Sequence, residues 1–298
     1  MTRKQLLCLA IAGIAAVSCP VAAKAAENLK LKPAASEFLD DKGRYLKFPE
    51  GVACSKGGIV VADTGNGRLV RYSVQNDSLK PGAELKVSQL PYPTRVHLSS
   101  KGEILVLDGK QRRVGRISPD GAFAGYVDAG ANAAPKSFAI DGNDAIYILD
   151  VRQERVTVLD PAGKKTGEIP FPGGYGFLSD IAVDSKGNIL LLDSTKSVLY
   201  VAGREAKEFK PLGGSLREYL DFAAAITTDN QGRIYVTDQN GSAIIILGQD
   251  GSFQGRQLAM GRKSGLVHYP SQACIGDNGD FFLTDRDNSR VQMFKMIR

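Results

Sequence analysis

The chain contains 298 residues, of which 43% are hydrophobic and 23% are charged, which argues against wholesale disorder. Glycine is frequent at 33 residues, aromatic residues make up only 7%, and tryptophan is absent. The formal charge is +6, from 38 basic and 32 acidic residues. This composition predicts many short elements joined by tight turns, in two average domains or in one large all-β domain.

The amino-terminal segment 1–25 has the pattern of a secretory signal peptide. Arg3 and Lys4 provide a basic start, and residues 6–17 form an apolar core that is too short to span a bilayer comfortably. Residues 23–25 read Ala-Lys-Ala, which is a suitable cleavage site. We therefore expect a signal peptide over 1–25, and a secreted or periplasmic mature protein.

Cleavage after Ala25 would leave one mature domain, 26–298, with a different charge balance. Three basic residues and no acidic ones are removed, so 35 bases remain against 32 acids and the net charge becomes +3. Such a balanced chain gives no support to nucleic-acid binding, which needs a concentrated basic stripe. No later segment is apolar and long enough to be transmembrane. An uncleaved anchor and a lipoprotein attached at Cys19 are less favoured alternatives, the latter because Pro20 follows the cysteine.

Six segments of the chain repeat one pattern, in which an apolar run ends in aspartate and a turn follows. The six aspartates are Asp63, Asp108, Asp150, Asp193, Asp238 and Asp285. They recur about every 45 residues, and each run follows a short strand and a turn rich in Gly, Asn and Asp that suits a hairpin. The runs are apolar on both pleat faces, so neighbouring sheets must cover both sides. The pattern predicts an all-β, six-bladed β-propeller of four-stranded antiparallel blades, with a flat solenoid as the alternative.

The two ends of the chain are predicted to meet in the last blade. The sixth unit stops at Arg298 after its third strand, so its fourth strand is missing. The segment 36–44 (SEFLDDKGR) resembles the fourth-strand segment 252–256 (SFQGR) of the preceding unit. We expect this amino-terminal strand to complete the last blade, which would leave no exposed sheet edge at the joint.

Two of the six units have a recognisable sequence. FPEGVACSKGGIVVADTGNGRLVRYS (48–73) and YPSQACIGDNGDFFLTDRDNSRVQMF (269–294) resemble the NHL repeat. The resemblance implies a six-bladed propeller of the NHL type over essentially the whole mature chain. Relatives include secreted amidating lyases, lactonase-like hydrolases and pure binding modules, and the fold does not decide among them.

The repeated aspartates are expected to be structural, because an aspartate after a strand accepts hydrogen bonds from turn N–H groups. In four units an arginine follows five residues later, where it can pair with the aspartate or with a neighbouring blade. These arginines are Arg68, Arg113, Arg155 and Arg290. Departures from the repeat are therefore the better functional candidates.

His97 is the large exception among otherwise small residues in the middle of the six first strands. These strands line the central channel of a propeller, so His97 is a candidate proton-transfer group, metal ligand or hydrogen-bonding filler of the channel. His268 lies in a longer loop near the same end, and a two-histidine site would still need a third ligand. The Gly-rich aromatic loop 170–177 is either a recognition loop or a compact connection.

Residues just before or at the start of the first strands should surround one mouth of the channel. The charged and polar candidates for binding there are Glu50, Arg95, Lys136, Asp180 and Gln272. Arg95 and Lys136 could pair with an anionic group, while Glu50 and Asp180 could accept hydrogen bonds. A mouth that is merely solvated is the alternative.

Two of the four cysteines, Cys54 and Cys274, remain after cleavage, in an oxidising compartment. They lie in the first strands of the first and last units, so a disulfide across the joint is possible, with two buried thiols as the alternative. No Cys-x-x-Cys-His motif for covalent haem occurs, and no complete metal-ligand set is indicated. We expect no cofactor.

These features predict an extracytoplasmic binding or scaffold module that presents its channel mouth to a protein, a peptide or a small polar ligand. An envelope protein or peptide is the expected partner. The alternative is a propeller enzyme resembling amidating lyases or lactonase-type hydrolases, with His97 and His268 as acid or base and Arg95 as an anion clamp. No G-x-S-x-G nucleophile motif supports the enzyme.

Overall fold

The computed structural model describes residues 29–297, which form six four-stranded antiparallel sheets around a central channel. This confirms the predicted six-bladed β-propeller. The predictions for residues 1–25 and for Cys19 fall outside the described residues. Within 29–297, no helix has the length and apolarity needed to cross a bilayer.

The strands follow one another in chain order, four to a blade, after a first strand β1 (Lys30–Glu37). Blade 1 contains β2 (Gly51–Ser55), β3 (Gly58–Asp63), β4 (Arg68–Gln75) and β5 (Ser78–Leu85). Blade 2 contains β6 (Pro93–Leu98), β7 (Ile104–Asp108), β8 (Arg113–Ile117) and β9 (Phe123–Tyr126). Blade 3 contains β10 (Pro135–Ile140), β11 (Ile146–Asp150), β12 (Arg155–Leu159) and β13 (Lys165–Pro170).

The second half of the ring repeats this arrangement. Blade 4 contains β14 (Leu178–Val183), β15 (Ile189–Asp193), β16 (Val198–Ala202) and β17 (Lys210–Leu212). Blade 5 contains β18 (Ala223–Thr228), β19 (Ile234–Asp238), β20 (Ala243–Leu247) and β21 (Phe253–Gln257). Blade 6 contains β22 (Pro270–Ile275), β23 (Asp280–Asp285) and β24 (Arg290–Ile297), with β1 as its outer strand.

The core lies between adjacent blades. Every residue of the second strands β7, β11, β15 and β19 is buried, as their uninterrupted apolar sequence predicts. Between blades 2 and 3, for example, Leu105 and Leu107 share one cluster with Phe138 and Ile148. Each blade thus uses both of its faces to hold its neighbours in place.

The ring closes where the two ends of the chain meet. β1 pairs antiparallel with β24, from Lys30 opposite Ile297 to Glu37 opposite Val291. The predicted amino-terminal closing strand exists, but its predicted position at 36–44 is wrong, because the strand ends at Glu37. The chain turns there instead: Asp40 Oδ1 accepts hydrogen bonds from the Lys42 and Arg44 amides, both at 2.9 Å.

A disulfide between Cys54 and Cys274 crosses the same joint, from β2 of blade 1 to β22 of blade 6, with Cα atoms 5.7 Å apart. Adjacent sheets usually pack near 10 Å. The shorter distance fits the position of these innermost strands, because propeller blades converge toward the channel.

The repeated aspartates are buried, and each accepts a hydrogen bond from at least one backbone N–H group, as predicted. Asp193 accepts hydrogen bonds from four amides, among them those of Gly176 at 2.6 Å and Lys196 at 2.9 Å. These bonds tie each blade-connecting loop to the turn after the second strand, at the end of the channel where the first strands begin.

The arginines five residues after the aspartates divide into two groups. Arg68 pairs with Asp63 at 2.7 Å, and Arg290 pairs with Asp285 at 2.6 Å. The other two contact the outer strands of their own blades: Arg113 lies over the Tyr126 ring, and Arg155 pairs with Glu168. The two aspartate–arginine pairs therefore stand in the blades that flank the joint.

Candidate functional site

The channel opens into a cavity of about 300 Å³ at the end where the six first strands begin, which we call the mouth. Its wall is built from residues at the starts of first strands, from the blade-connecting loops and from the turns after second strands. The lining residues are Glu50, Tyr92, Thr94, Arg95, Leu107, Gly109, Arg112, Pro135, Lys136, Phe177, Ser179, Phe222, Ala224, Gln239 and Ser271. Three of the predicted candidates, Glu50, Arg95 and Lys136, thus line one cavity.

Arg95 forms the floor of the mouth. It starts on β6 of blade 2, and its Nη2 donates a hydrogen bond to the Ala224 carbonyl of blade 5, directly across the ring, at 3.1 Å. Its Nη1 reaches Ser271 Oγ of blade 6 at 3.4 Å. Its Nε lies 3.7 Å from Asp180 Oδ1 of blade 4. The guanidinium therefore spans the channel.

Asp180 and Gln272 support this floor from below. Asp180 Oδ1 accepts a short hydrogen bond from Ser137 Oγ, and its Oδ2 accepts one from the Ile226 amide at 2.9 Å. Burial raises the pKa of Asp180, while the neighbouring Arg95 charge acts in the opposite direction. The pKa is raised because burial destabilises the charged carboxylate more than Arg95 and the hydrogen bonds stabilise it.

Gln272 of blade 6 joins blade 1, the one blade not yet linked, to the same network. Its Oε1 accepts hydrogen bonds from the amides of Val52 in blade 1 and Val96 in blade 2, both at 3.3 Å. Its Nε2 donates to the Val96 carbonyl at 3.2 Å. Together with Arg95 and Asp180, it connects first strands of all six blades across the axis. We call these three side chains the plug.

Two cations of the mouth stand on the side of blades 2 and 3, and a third, Arg95, spans the axis. Arg95, Arg112 and Lys136 are its three cations, whereas Glu50 is its single acid and already lies 3.5 Å from Arg286 Nε. The pKa of Lys136 is lowered, first because the mouth partly shields its ammonium from water and then because Arg95 repels it. An anion entering here would relieve that repulsion.

The opposite side of the mouth carries uncharged groups from blades 4, 5 and 6. Phe177 and Phe222 offer ring surface, and Ser179, Gln239 and Ser271 offer polar side chains. Lys136 Nζ lies 5.3 Å from the centre of the Phe177 ring, so one cation faces this side. The cavity wall therefore has cationic side chains on one side and mainly uncharged side chains on the other.

His97 lies on the other side of the plug. It lines a second channel cavity of about 210 Å³, together with Asp180, Gln272 and the disulfide cysteines. Burial and the Arg95 charge lower the pKa of His97 to about 4, and its ring packs edge-on against Phe138 at 4.8 Å. The imidazole is consequently neutral at pH 7 and does not share a cavity with Lys136.

His268 does not join His97. Its backbone amide donates to Asp285 Oδ1 at 2.7 Å, its ring packs against Tyr269, and it lines neither channel cavity. Among residues 29–297 no three His, Cys, Asp or Glu side chains are grouped so as to hold a metal ion.

Several residues of the cavity wall are not predicted from the sequence. Tyr92, Phe177 and Phe222 come from blade-connecting loops, and Arg112 and Gln239 come from turns after second strands. The aromatic loop 170–177, one candidate recognition loop, contributes Phe177 to the wall. The run Lys110–Arg113, which reads KQRR, was the signal for Arg112. Gly109 keeps the adjacent wall open, because a Cβ there would lie 2.7 Å from Thr94 Cγ2.

Comparison with known proteins agrees with this fold. The NHL repeat family model matches residues 46–72, which overlap the first of the two segments whose sequence resembles that repeat, 48–73. No curated protein sequence matches the chain significantly. The chain is thus a six-bladed β-propeller that contains an NHL repeat.

Solved structures with the same fold include enzymes. A streptogramin B lyase is 15% identical, with a TM-score of 0.64, over 92% of this chain and 100% of that one. A virginiamycin B lyase from Staphylococcus aureus is 12% identical, with a TM-score of 0.63, over 90% and 100%. A gluconolactonase from Xanthomonas campestris is 12% identical, with a TM-score of 0.65, over 84% and 86%. Similarity at this level establishes the fold and leaves activity open.

Proposed function

We propose that this protein is an extracytoplasmic binding module whose mouth takes up a carboxylate-bearing ligand. The observation that carries the proposal is the convergence of Arg95, Arg112 and Lys136 on one cavity whose single acid, Glu50, is already near Arg286. Arg112 and Lys136 have no carboxylate within 4.0 Å among the described residues, so their charges are available to a ligand. Hydrogen bonds between charged partners are worth about 1.5–3 kcal/mol each.

The simplest test uses glutarate, a small dicarboxylate, as the probe in calorimetric titrations of the purified protein. We expect glutarate to bind, and Lys136→Gln and Arg112→Gln each to weaken binding about 10-fold, since one charged hydrogen bond is lost. Lys186→Gln, in the turn between β14 and β15 at the opposite end of the channel, is the matched control. Absence of glutarate binding, or equal affinity in all four proteins, would contradict the proposal.

Export is part of the proposal. It rests on the signal-peptide pattern of residues 1–25 and on the pair Cys54 and Cys274, which the structure joins in a disulfide suited to an oxidising compartment. Full-length protein expressed in a bacterial host should appear in the periplasm or medium, and its amino-terminal sequence should start at Ala26. Intact, cytoplasmic protein starting at Met1 would be inconsistent with it.

The alternative function is that of a propeller enzyme, and the fold shared with lyases and a gluconolactonase favours it. In this chain, His97 is the neutral channel side chain that could accept a proton, as a base weakened by burial and by the Arg95 charge. It would act in the second channel cavity, because the plug separates it from the mouth. Lactone or streptogramin turnover that disappears in His97→Ala would favour this alternative.

A further inference from the structure

The turn after the second strand of blade 2 differs from the corresponding turns of the other blades. It contains three basic residues and no acid in the sequence Gly109-Lys110-Gln111-Arg112-Arg113. The corresponding turns of the other blades have at most two basic residues, and those with two also contain an acid. With Lys136 and Arg152 of blade 3, these residues form a group that we call the basic sector. All five of its side chains are exposed.

Aromatic rings, rather than carboxylates, hold most of this sector in position. Lys110 Nζ lies 4.3 Å from the centre of the Tyr92 ring, Arg113 Cζ lies 3.5 Å from that of Tyr126, and Lys136 faces Phe177. Over the described part of the chain, no sector cation has a carboxylate within 4.0 Å. A ring face orients a cation while leaving its N–H groups free, so less side-chain entropy is lost when an anion binds.

The sector extends beyond the mouth. Arg112 and Lys136 line the cavity, but Lys110 and Arg113 do not, and they lie above blade 2. Two exposed acids share this region: Asp128, which caps the Gly130 amide, and Glu154, which lies beside Tyr175. The five cations outnumber these two acids, and Glu50 of the adjoining cavity wall already lies 3.5 Å from Arg286 Nε, so the region keeps a net positive charge. A single small anion would fill the cavity without reaching Lys110 or Arg113.

We propose that the basic sector is the docking surface for an extended acidic peptide segment of a partner protein. One of its carboxylates enters the mouth, and the following ones pair with Lys110 and Arg113 over blade 2. This inference rests on the proposed function of the mouth. A peptide fits better than a nucleic acid, because the cations occupy only two of six blades and are interrupted by two acids, whereas phosphate backbones require a longer uninterrupted stripe.

The test measures fluorescence anisotropy with a labelled octapeptide of alternating glutamate and serine. In the double variant Lys110→Gln/Arg113→Gln, we expect the octapeptide to bind at least about 10-fold more weakly and with a shallower salt dependence. Glutarate affinity should stay unchanged, because neither residue lines the cavity. Lys164→Gln/Lys186→Gln, which removes two cations from turns at the opposite end, is the matched control and should retain both affinities.

Each of the remaining outcomes overturns a defined part of the proposal. If glutarate binds but the octapeptide binds the double variant as well as the unaltered protein, the docking inference fails and the mouth function stands. If heparin or oligo-dT competes more strongly than an unlabelled octapeptide at equal charge, the assignment to a peptide fails. If neither glutarate nor the octapeptide binds, the proposed function fails as well.

Discussion

At the scale of single residues, the plug shows why symmetry-breaking positions are informative in a repeat fold. Six blades offer six equivalent sites on the first strands, and three of these sites hold the small residues Gly51, Ser137 and Ala225. Arg95, Asp180 and Gln272 are larger and polar, and they find partners only because the ring brings opposite blades within reach of one another. The sequence could indicate these residues as unusual, but not that Arg95 extends from blade 2 to blade 5.

The lowered pKa of His97 predicts how the stability of the protein changes in acid. Its pKa is lowered from 6.5 to about 4 by burial and by Arg95, so the unfolded chain binds a proton there before the folded chain does. The stability that neutral His97 contributes is present above pH 6.5 and is lost as the pH falls toward 4. Asp180, whose pKa is raised, acts in the opposite direction. Its contribution is present both in the unaltered protein and in the variant His97→Gln, so it does not distinguish them.

The measurement is the melting temperature of the unaltered protein and of His97→Gln between pH 7.5 and pH 4. We expect the melting temperature of the unaltered protein to fall more steeply, because glutamine does not titrate. Parallel curves for the two proteins would show that His97 has an ordinary pKa.

At the scale of elements, the joint between blades 6 and 1 is closed twice. β1 supplies an outer strand by hydrogen bonding, and the disulfide links the innermost strands β2 and β22. The sequence predicted the first closure from the missing fourth strand. It did not place β1 correctly, because only Ser36 and Glu37 of the segment 36–44 belong to the strand, whereas the chain from Asp40 to Gly43 forms a turn.

The disulfide between Cys54 and Cys274 is expected to raise the stability of the folded protein. Cys54 and Cys274 are 220 residues apart, and closing so long a loop in the unfolded chain corresponds to about 5 kcal/mol in the chain-entropy model. We expect a reductant to lower the melting temperature of the unaltered protein by about 10 °C or more. Cys54→Ser/Cys274→Ser should melt at the reduced temperature with or without reductant. Equal melting of oxidised and reduced protein would refute this.

At the scale of the whole molecule, the repeat made the architecture predictable, because each blade repeats the same hairpin chemistry and the same buried aspartate. The site was less predictable for a physical reason. Its wall is assembled from loops that are not part of the repeat, so Phe177, Phe222 and Gln239 meet only in three dimensions. Charge gave partial guidance, since Arg95 and Lys136 line the mouth cavity, whereas His97 lies beyond the plug.

Because the plug crosses the central channel, the mouth is a pocket that opens at one end only. With Arg95 spanning the axis above Asp180 and Gln272, a molecule that enters at the mouth has no passage to the far end. Entry and departure must use the same opening. A peptide seated over blades 2 and 3 with one carboxylate in the mouth would therefore have to leave through the opening by which it entered.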